Sequence, residues 1–321
     1  MIGRSFIRIK VMQAIYAYHV SNANNMEHAK KHLLTNFSDL YDLYLSLITL
    51  FDALAFHAEK VIEKKKQKYL PSESDLKPNM KFVDNQFIKK IQQNTDLQAL
   101  LRARNLTWYN DINMLFIKDV YNQLSNHEVF IEYMQSPEHS FSEDKQFILN
   151  VTEKFFLGNE MMNNYFGDLK LHWLHDYNDA VLLVYHTLKN WSEKQSNDKK
   201  MPSIFKIEAD GTCEDRQLVI DLFDRTLQHD KEYTSIIANN IRNWEIDRIA
   251  LLDAILLKMA ICEFCEFPSI PIRVTMNEYI EISKYYSTPK SRNFINGLLD
   301  KILSELKEEN KINKQGRGLM G

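Results

Sequence analysis

The chain has 321 residues, of which 45% are hydrophobic and 26% charged, ordinary values for a globular protein long enough to bury a core without disulfides or metals. At about 150 residues per domain, that length predicts two domains or one enlarged one. Lys plus Arg (40) and Asp plus Glu (43) leave a net charge of −3, so no global field draws a polyanion and any nucleic-acid site has to be a local patch.

The first predicted helix covers residues 5–20. Ile7, Val11, Ala14, Ile15 and Tyr18 recur at helical spacing, and Met12, Tyr16 and Val20 form a second row on the same helix. A second helix is predicted over 26–34. A third, over 38–67, has Leu40, Leu43, Leu47, Leu50, Leu54, Ala58 and Val61 at successive turns and ends in the lysines 64, 65, 66 and 68. Pro71 and Pro78 then bracket a polar loop. Further helices are predicted over 80–92, 95–104, 109–135, 142–157 and 172–192, followed by a polar loop over 193–216. Leu218, Leu222, Thr226 and Leu227 mark the next helix, and Tyr233, Ile236, Ile237 and Ile241 the one after it. Ile249, Leu252, Leu256, Met259 and Ala260 line another, which ends before Pro268 and Pro271. Thr275 stands three residues before Glu278, the spacing of a capping box. The last helix is predicted from about 291 to 308, and a frayed tail follows. The predicted fold class is all-α.

Several chemistries lack their residues. Eight glycines provide neither a G-x-G-x-x-G nor a P-loop, so backbone N–H groups have no glycine-rich cradle for phosphate. Cys262 and Cys265 form a C-x-x-C, but only Cys213 remains as a third thiol, short of a zinc set; the thiols read as packing groups in a reducing cytosol. His172 and His175 lie one turn apart with no H-E-x-x-H or E-x-x-H, and no G-x-S-x-G appears. The expectation is a cytoplasmic protein that is not an enzyme, with no metal, no cofactor, no secretory signal and no membrane span. The lysines 64–68 admit two readings, a solvated helix end and a phosphate-binding patch.

The segment from 244 to 301 resembles the C-terminal half of the NusB family of bacterial transcription antitermination factors. The resemblance is carried by IALLDAILLKMAICE at 249–263, IPIRVTMNEYIEISKYY at 270–286 and SRNFINGLLDK at 291–301, with MQAIY at 12–16 matching the family's N-terminal Gln-Ala-Leu-Tyr. It implies two small helical subdomains, no catalysis, and binding of boxA-type single-stranded RNA in ribosomal RNA transcription together with NusE, a small-subunit ribosomal protein. Its N-terminal arginine motif falls on Arg4 and Arg8, with Ser5 and Phe6 where arginine is often found, and Lys10 nearby. The second RNA-facing region falls on Tyr286, Lys290, Arg292, Asn293 and Phe294, where a tyrosine can stack a splayed base and a helix N-terminus can meet phosphate. Phe294 reads equally well as a core residue. The NusE-facing surface falls on Tyr16, Val20, Asp247 and Asp253.

The resulting division is 1–36 and 213–308 as NusB-like parts, 37–212 as a large helical insertion, and 309–321 as a tail. Within 37–212, three roles stay open: cover for a homodimer surface, an extension of the RNA groove through Lys64 to Lys68, or a contact to the RNA polymerase complex. Two other readings of the whole chain also stay open, a protein-interaction scaffold and an accessory RNA-recognition protein for ribosomal RNA modification.

Overall fold

A computed structural model describes residues 2–21, 25–207, 211–241 and 249–319. The described residues contain no strand, and their α-helices in chain order are α1 (Arg4–Val20), α2 (Met26–Lys66), α3 (Glu73–Leu76), α4 (Gln86–Gln92), α5 (Thr95–Arg104), α6 (Asp111–Ser125), α7 (Glu128–Gln135), α8 (Phe141–Val151), α9 (Glu160–Leu169), α10 (Trp173–Lys189), α11 (Glu214–Gln228), α12 (Asp230–Asn240), α13 (Leu251–Glu266), α14 (Ile272–Tyr286) and α15 (Ser291–Glu308). The fold is all-α.

The chain divides into two compact units. Unit 1 comprises Met1–Thr35 and Phe205–Gly321, and unit 2 comprises Asn36–Ile204. Residues 26–35 of α2 belong to unit 1 and residues 36–66 to unit 2.

Unit 1 is organised around α13. Its buried residues include Ile255, Leu256, Leu257, Met259, Ala260, Ile261, Cys262 and Phe264, so the helix is apolar nearly all round and needs cover on every side. α1, α11, α12, α14 and α15 supply that cover, and α1 also packs on α11.

Unit 2 is built on the second part of α2. Leu40, Leu43, Leu47, Leu50, Leu54 and Ala58 are buried, as their spacing predicts, and Tyr44, Leu45, Ile48 and Phe51 are buried as well. Phe51 stacks on Phe156 with centroids 4.9 Å apart, and the Trp108 indole N–H donates to Ser46 O at 3.1 Å. Several helices here start at a residue whose side chain accepts the orphan N–H three positions on: Asn85 for α4, Asn94 for α5, Asn110 for α6, Ser140 for α8 and Asn159 for α9.

The helix boundaries depart from the sequence expectation in several places, among them the short α3 inside the stretch expected as a polar loop between Pro71 and Pro78. The helices predicted over 26–34 and 38–67 are one, because residues 35–37 contain no glycine or proline to stop α2 and Leu33 and Phe37 are both buried. The helix predicted over 109–135 breaks at Asn126 and His127, where the His127 side chain accepts from Val129 N and starts α7. The helix predicted over 80–92 is helical only from Gln86, where the Asn85 cap sits. α9 was not expected; it starts at the Asn159 cap just after Gly158, whose φ is +74°.

The buried tyrosines include Tyr44, Tyr133 and Tyr177 in unit 2 and Tyr233 and Tyr279 in unit 1. Burial raises the pKa of each of these five well above the ordinary 10.0. The folded chain keeps these protons at a pH where the unfolded chain releases them, so the associated stability is present below pH 10 and falls as the pH rises above it. Each such tyrosine should cost about 1.4 kcal/mol per pH unit on that limb. Urea midpoints between pH 8 and 11 should therefore fall steeply above 10, and Tyr177→Phe should flatten the fall; equal midpoints at pH 9 and 11 would contradict this.

Candidate functional site

The sequence points to two places, the start of α1 and the junction of α14 with α15. Their chemistry differs.

At the first place, Arg8 lies inside unit 1 and is 1% exposed. Its guanidinium forks onto Glu263 of α13, with Nε to Oε1 at 2.7 Å and Nη2 to Oε2 at 2.9 Å. Glu263, at 0% exposure, also accepts from Thr275 Oγ1 at 3.0 Å and from Tyr279 OH at 2.8 Å, both on α14. Glu278 Oε2 stands 3.5 Å from Arg8 Nη1. Four donors on one carboxylate satisfy a charge that would otherwise be costly to bury. Burial acts to lower the Arg8 pKa, but the facing Glu263 carboxylate outweighs it and the net shift is upward.

Three expectations are corrected here. Arg8 is not a free cation for RNA, because its charge is spent on Glu263. Thr275 and Glu278 do not form a capping box: α14 starts at Ile272 with Pro271 at its N-cap, and both side chains turn to the Arg8–Glu263 cluster. Lys10 is likewise buried, with its ammonium 5.5 Å from the centroid of Phe6, so it cannot replace a surface arginine. Arg4 is 40% exposed but pairs with Glu214 at 2.9 Å and Asp215 at 3.3 Å on α11, which neutralises much of its field.

At the second place, the chain turns between α14 and α15, and Tyr286, Lys290, Arg292 and Asn293 are exposed while Phe294 is half-buried. Lys290 occupies the N-cap of α15. A groove of about 580 Å³ runs beside this turn, lined by Asn277, Ile280 and Glu281 from α14 and Arg292, Asn293 and Asn296 from α15. Its walls carry amide donors and acceptors, one guanidinium and one carboxylate, groups suited to base edges and a phosphate. Sequence reading missed Asn277 and Glu281; Asn296, which beside Gly297 reads as a packing residue, is exposed on the groove wall in the α15 row with 292 and 293.

Asp253 is the fourth correction. It is 5% exposed, so it is no surface acid for a protein partner. Its carboxylate sits in the first turn of α13 and accepts from Ser287 Oγ at 2.5 Å and Ser291 Oγ at 2.6 Å. Those serines bracket the turn, so Asp253 holds the segment that displays Lys290. Tyr16 and Val20 are exposed at 42% and 56%, while Asp247 lies outside the described residues.

The described residues contain no cluster of His, Cys, Asp and Glu able to hold a metal. Burial pushes the Cys262 thiol up to about 12 and the Cys265 thiol up to about 11, away from the thiolate that redox or metal chemistry needs. No helix among the described residues is long and apolar enough to cross a membrane.

Comparison with known proteins bears on the same elements. The model of the NusB family matches residues 178–304, from within α10 to within α15. The match thus begins inside the stretch 37–212, for which the sequence alone offered no relative. A protein of Salinibacter ruber called transcription antitermination protein NusB is 40% identical over 124 residues, 39% of this chain and 78% of that one. Proteins of the same name from Chloroherpeton thalassium and Koribacter versatilis are 33% and 36% identical, over 40% and 37% of this chain and 60% and 81% of their own lengths. No solved structure matches the chain.

Removing Arg8 should be a stability defect before anything else. Arg8→Ala leaves a buried, unpaired carboxylate and is expected to cost about 3–5 kcal/mol. Arg8→Met combined with Glu263→Gln should cost less than Arg8→Ala alone, because no unpaired charge remains. Thermal melts of the three proteins check this; an Arg8→Ala protein that melts with the wild type would contradict the structural role.

Proposed function

The chain belongs to the NusB family, and on that premise we propose that it is a non-catalytic transcription antitermination factor that binds boxA-type single-stranded RNA together with NusE in ribosomal RNA transcription. The observation that carries the reading is the α14–α15 turn. Tyr286, Lys290, Arg292 and Asn293 are exposed there beside a polar groove, and Asp253 fixes the turn from beneath. A cation at a helix N-terminus beside an exposed aromatic suits single-stranded RNA, where phosphates supply affinity and splayed bases are read by stacking and edge contacts.

In this reading α1 contributes differently from its sequence pattern. Arg4 remains the one α1 cation of the motif with surface exposure, and it has to exchange Glu214 and Asp215 for phosphate to take part. Arg8 acts by anchoring α14 through Glu263 rather than by touching RNA. The NusE-facing surface falls on Tyr16 and Val20, the exposed end of the row that starts buried at Met12. An apolar and aromatic patch of that kind suits a protein partner better than RNA.

One observation favours a second reading, an interaction scaffold. Unit 2 exposes Ile112 (73%), Leu115 (66%) and Leu171 (78%), apolar surface that RNA binding does not use.

The test is RNA affinity as a function of salt. Lys290→Glu with Arg292→Glu should lower the affinity for boxA-type RNA at least tenfold and flatten its salt dependence by one to two units of slope, by the counterion rule of about 0.7 per phosphate contact. Addition of NusE should strengthen wild-type binding. An unchanged affinity and slope in the double variant would remove the α14–α15 turn from the RNA face.

A further inference from the structure

Unit 2 carries one strongly basic surface that the reading above leaves unused. α2 ends with Lys64, Lys65 and Lys66, all exposed, and Lys68 follows. A lysine-rich helix C-terminus needs no ligand by itself, since the dipole favours cations there. Three further features ask for more than a solvated end.

The flanking lysines are neutralised: Lys60 pairs with Glu63 and Lys68 with Asp75, each at 3.1 Å. Among the described residues, Lys64, Lys65 and Lys66 have no carboxylate at ion-pairing distance. A second helix adds to the same field. His57 of α2 meets Tyr121 of α6 with ring centroids 5.4 Å apart, and the exposed Lys118 stands one turn before Tyr121; burial first, then Lys64 and Lys118, hold the His57 imidazole below its ordinary value. Finally, Tyr69 is 98% and Leu70 83% exposed immediately after the lysines. A tyrosine ring wholly in water beside unpaired cations is a free stacking platform.

We propose that this end of α2 is a second contact for single-stranded RNA, in which Lys64, Lys65, Lys66 and Lys118 meet phosphates and Tyr69 stacks on a base. Unpaired cations with an adjacent aromatic are the combination that sequence-tolerant single-strand binding uses. A lipid surface fits less well: it calls for a helix that turns an apolar face outward, and the apolar face of α2 is buried within unit 2. The choice of RNA as occupant rests on the proposed function above; the location and the residues do not.

The experiment is an equilibrium titration of labelled boxA-type single-stranded RNA with the full chain at several salt concentrations. Lys64→Gln/Lys65→Gln/Lys66→Gln should lower the salt slope by about two units, three contacts at roughly 0.7 each. Tyr69→Ala should weaken binding about five- to hundredfold with the slope unchanged, and Tyr69→Phe should keep the wild-type affinity. All four positions are exposed, so circular dichroism should show unchanged helix content. If the triple lysine variant titrates as wild type while Lys290→Glu/Arg292→Glu weakens binding, the second contact is wrong and the α14–α15 turn stands. If the wild type binds no RNA at any salt, both fall. If the triple variant loses retention on phosphatidylglycerol vesicles but keeps full RNA affinity, the patch is a lipid contact and the proposal is overturned.

Discussion

The carboxylate of Glu263 is the point on which unit 1 depends. It sits on α13, the helix that every other helix of the core packs around, and it receives Arg8 from α1 and Thr275 and Tyr279 from α14. A buried charge of this kind is acceptable only when every lone pair is used, and here four donors use them. The cluster therefore fixes where α1 and α14 lie against α13. Asp253, ten residues earlier on the same helix, then fixes the far end of α14 through Ser287 and the start of α15 through Ser291. The face proposed for RNA is thus set from beneath by two buried acids, Glu263 and Asp253.

Several of these features could be read in the sequence, and others could not. The all-α fold followed from helical periodicity and scarce glycine, and the core stripe of α2 was legible from Leu40 to Ala58, while Val61 at its end is only half-buried. Unit 1's hub was only partly legible. The stripe Leu256, Met259, Ala260 continues to position 263, so a glutamate on that row announces a buried partner, but nothing in the spacing says that the partner is Arg8, 255 residues away. The arginine was read as a surface cation because its motif is basic; burial is a tertiary fact. Thr275 and Glu278 kept the spacing of a cap, while the Thr275 hydroxyl donates to Glu263 across the helix interface and the Glu278 carboxylate faces the Arg8 guanidinium. Tyr286, Lys290, Arg292 and Asn293 stand at the surface, and the groove beside them needed two helices that sequence periodicity treats separately.

Unit 2 raises a different point. Five of its helices begin at asparagine or serine caps, and its core closes on the leucine stripe of α2, so its fold needs nothing from the lysines at the end of that helix. Those lysines, with Tyr69, are surface chemistry free to serve a ligand. The comparisons match residues 178–304 to the NusB family and leave most of unit 2 outside that match, which makes unit 2 the place where this chain can do something that shorter relatives do not.

The most direct test of the account is photocrosslinking of boxA-type RNA carrying 4-thiouridine to the full chain, with the attachment sites mapped by mass spectrometry. Within unit 1 the account predicts attachment at Tyr286 or its immediate neighbours at the α14–α15 turn, and none at residues 5–11 of α1, where Arg8 and Lys10 are buried. Attachment confined to residues 5–11, with the turn untouched, would contradict it.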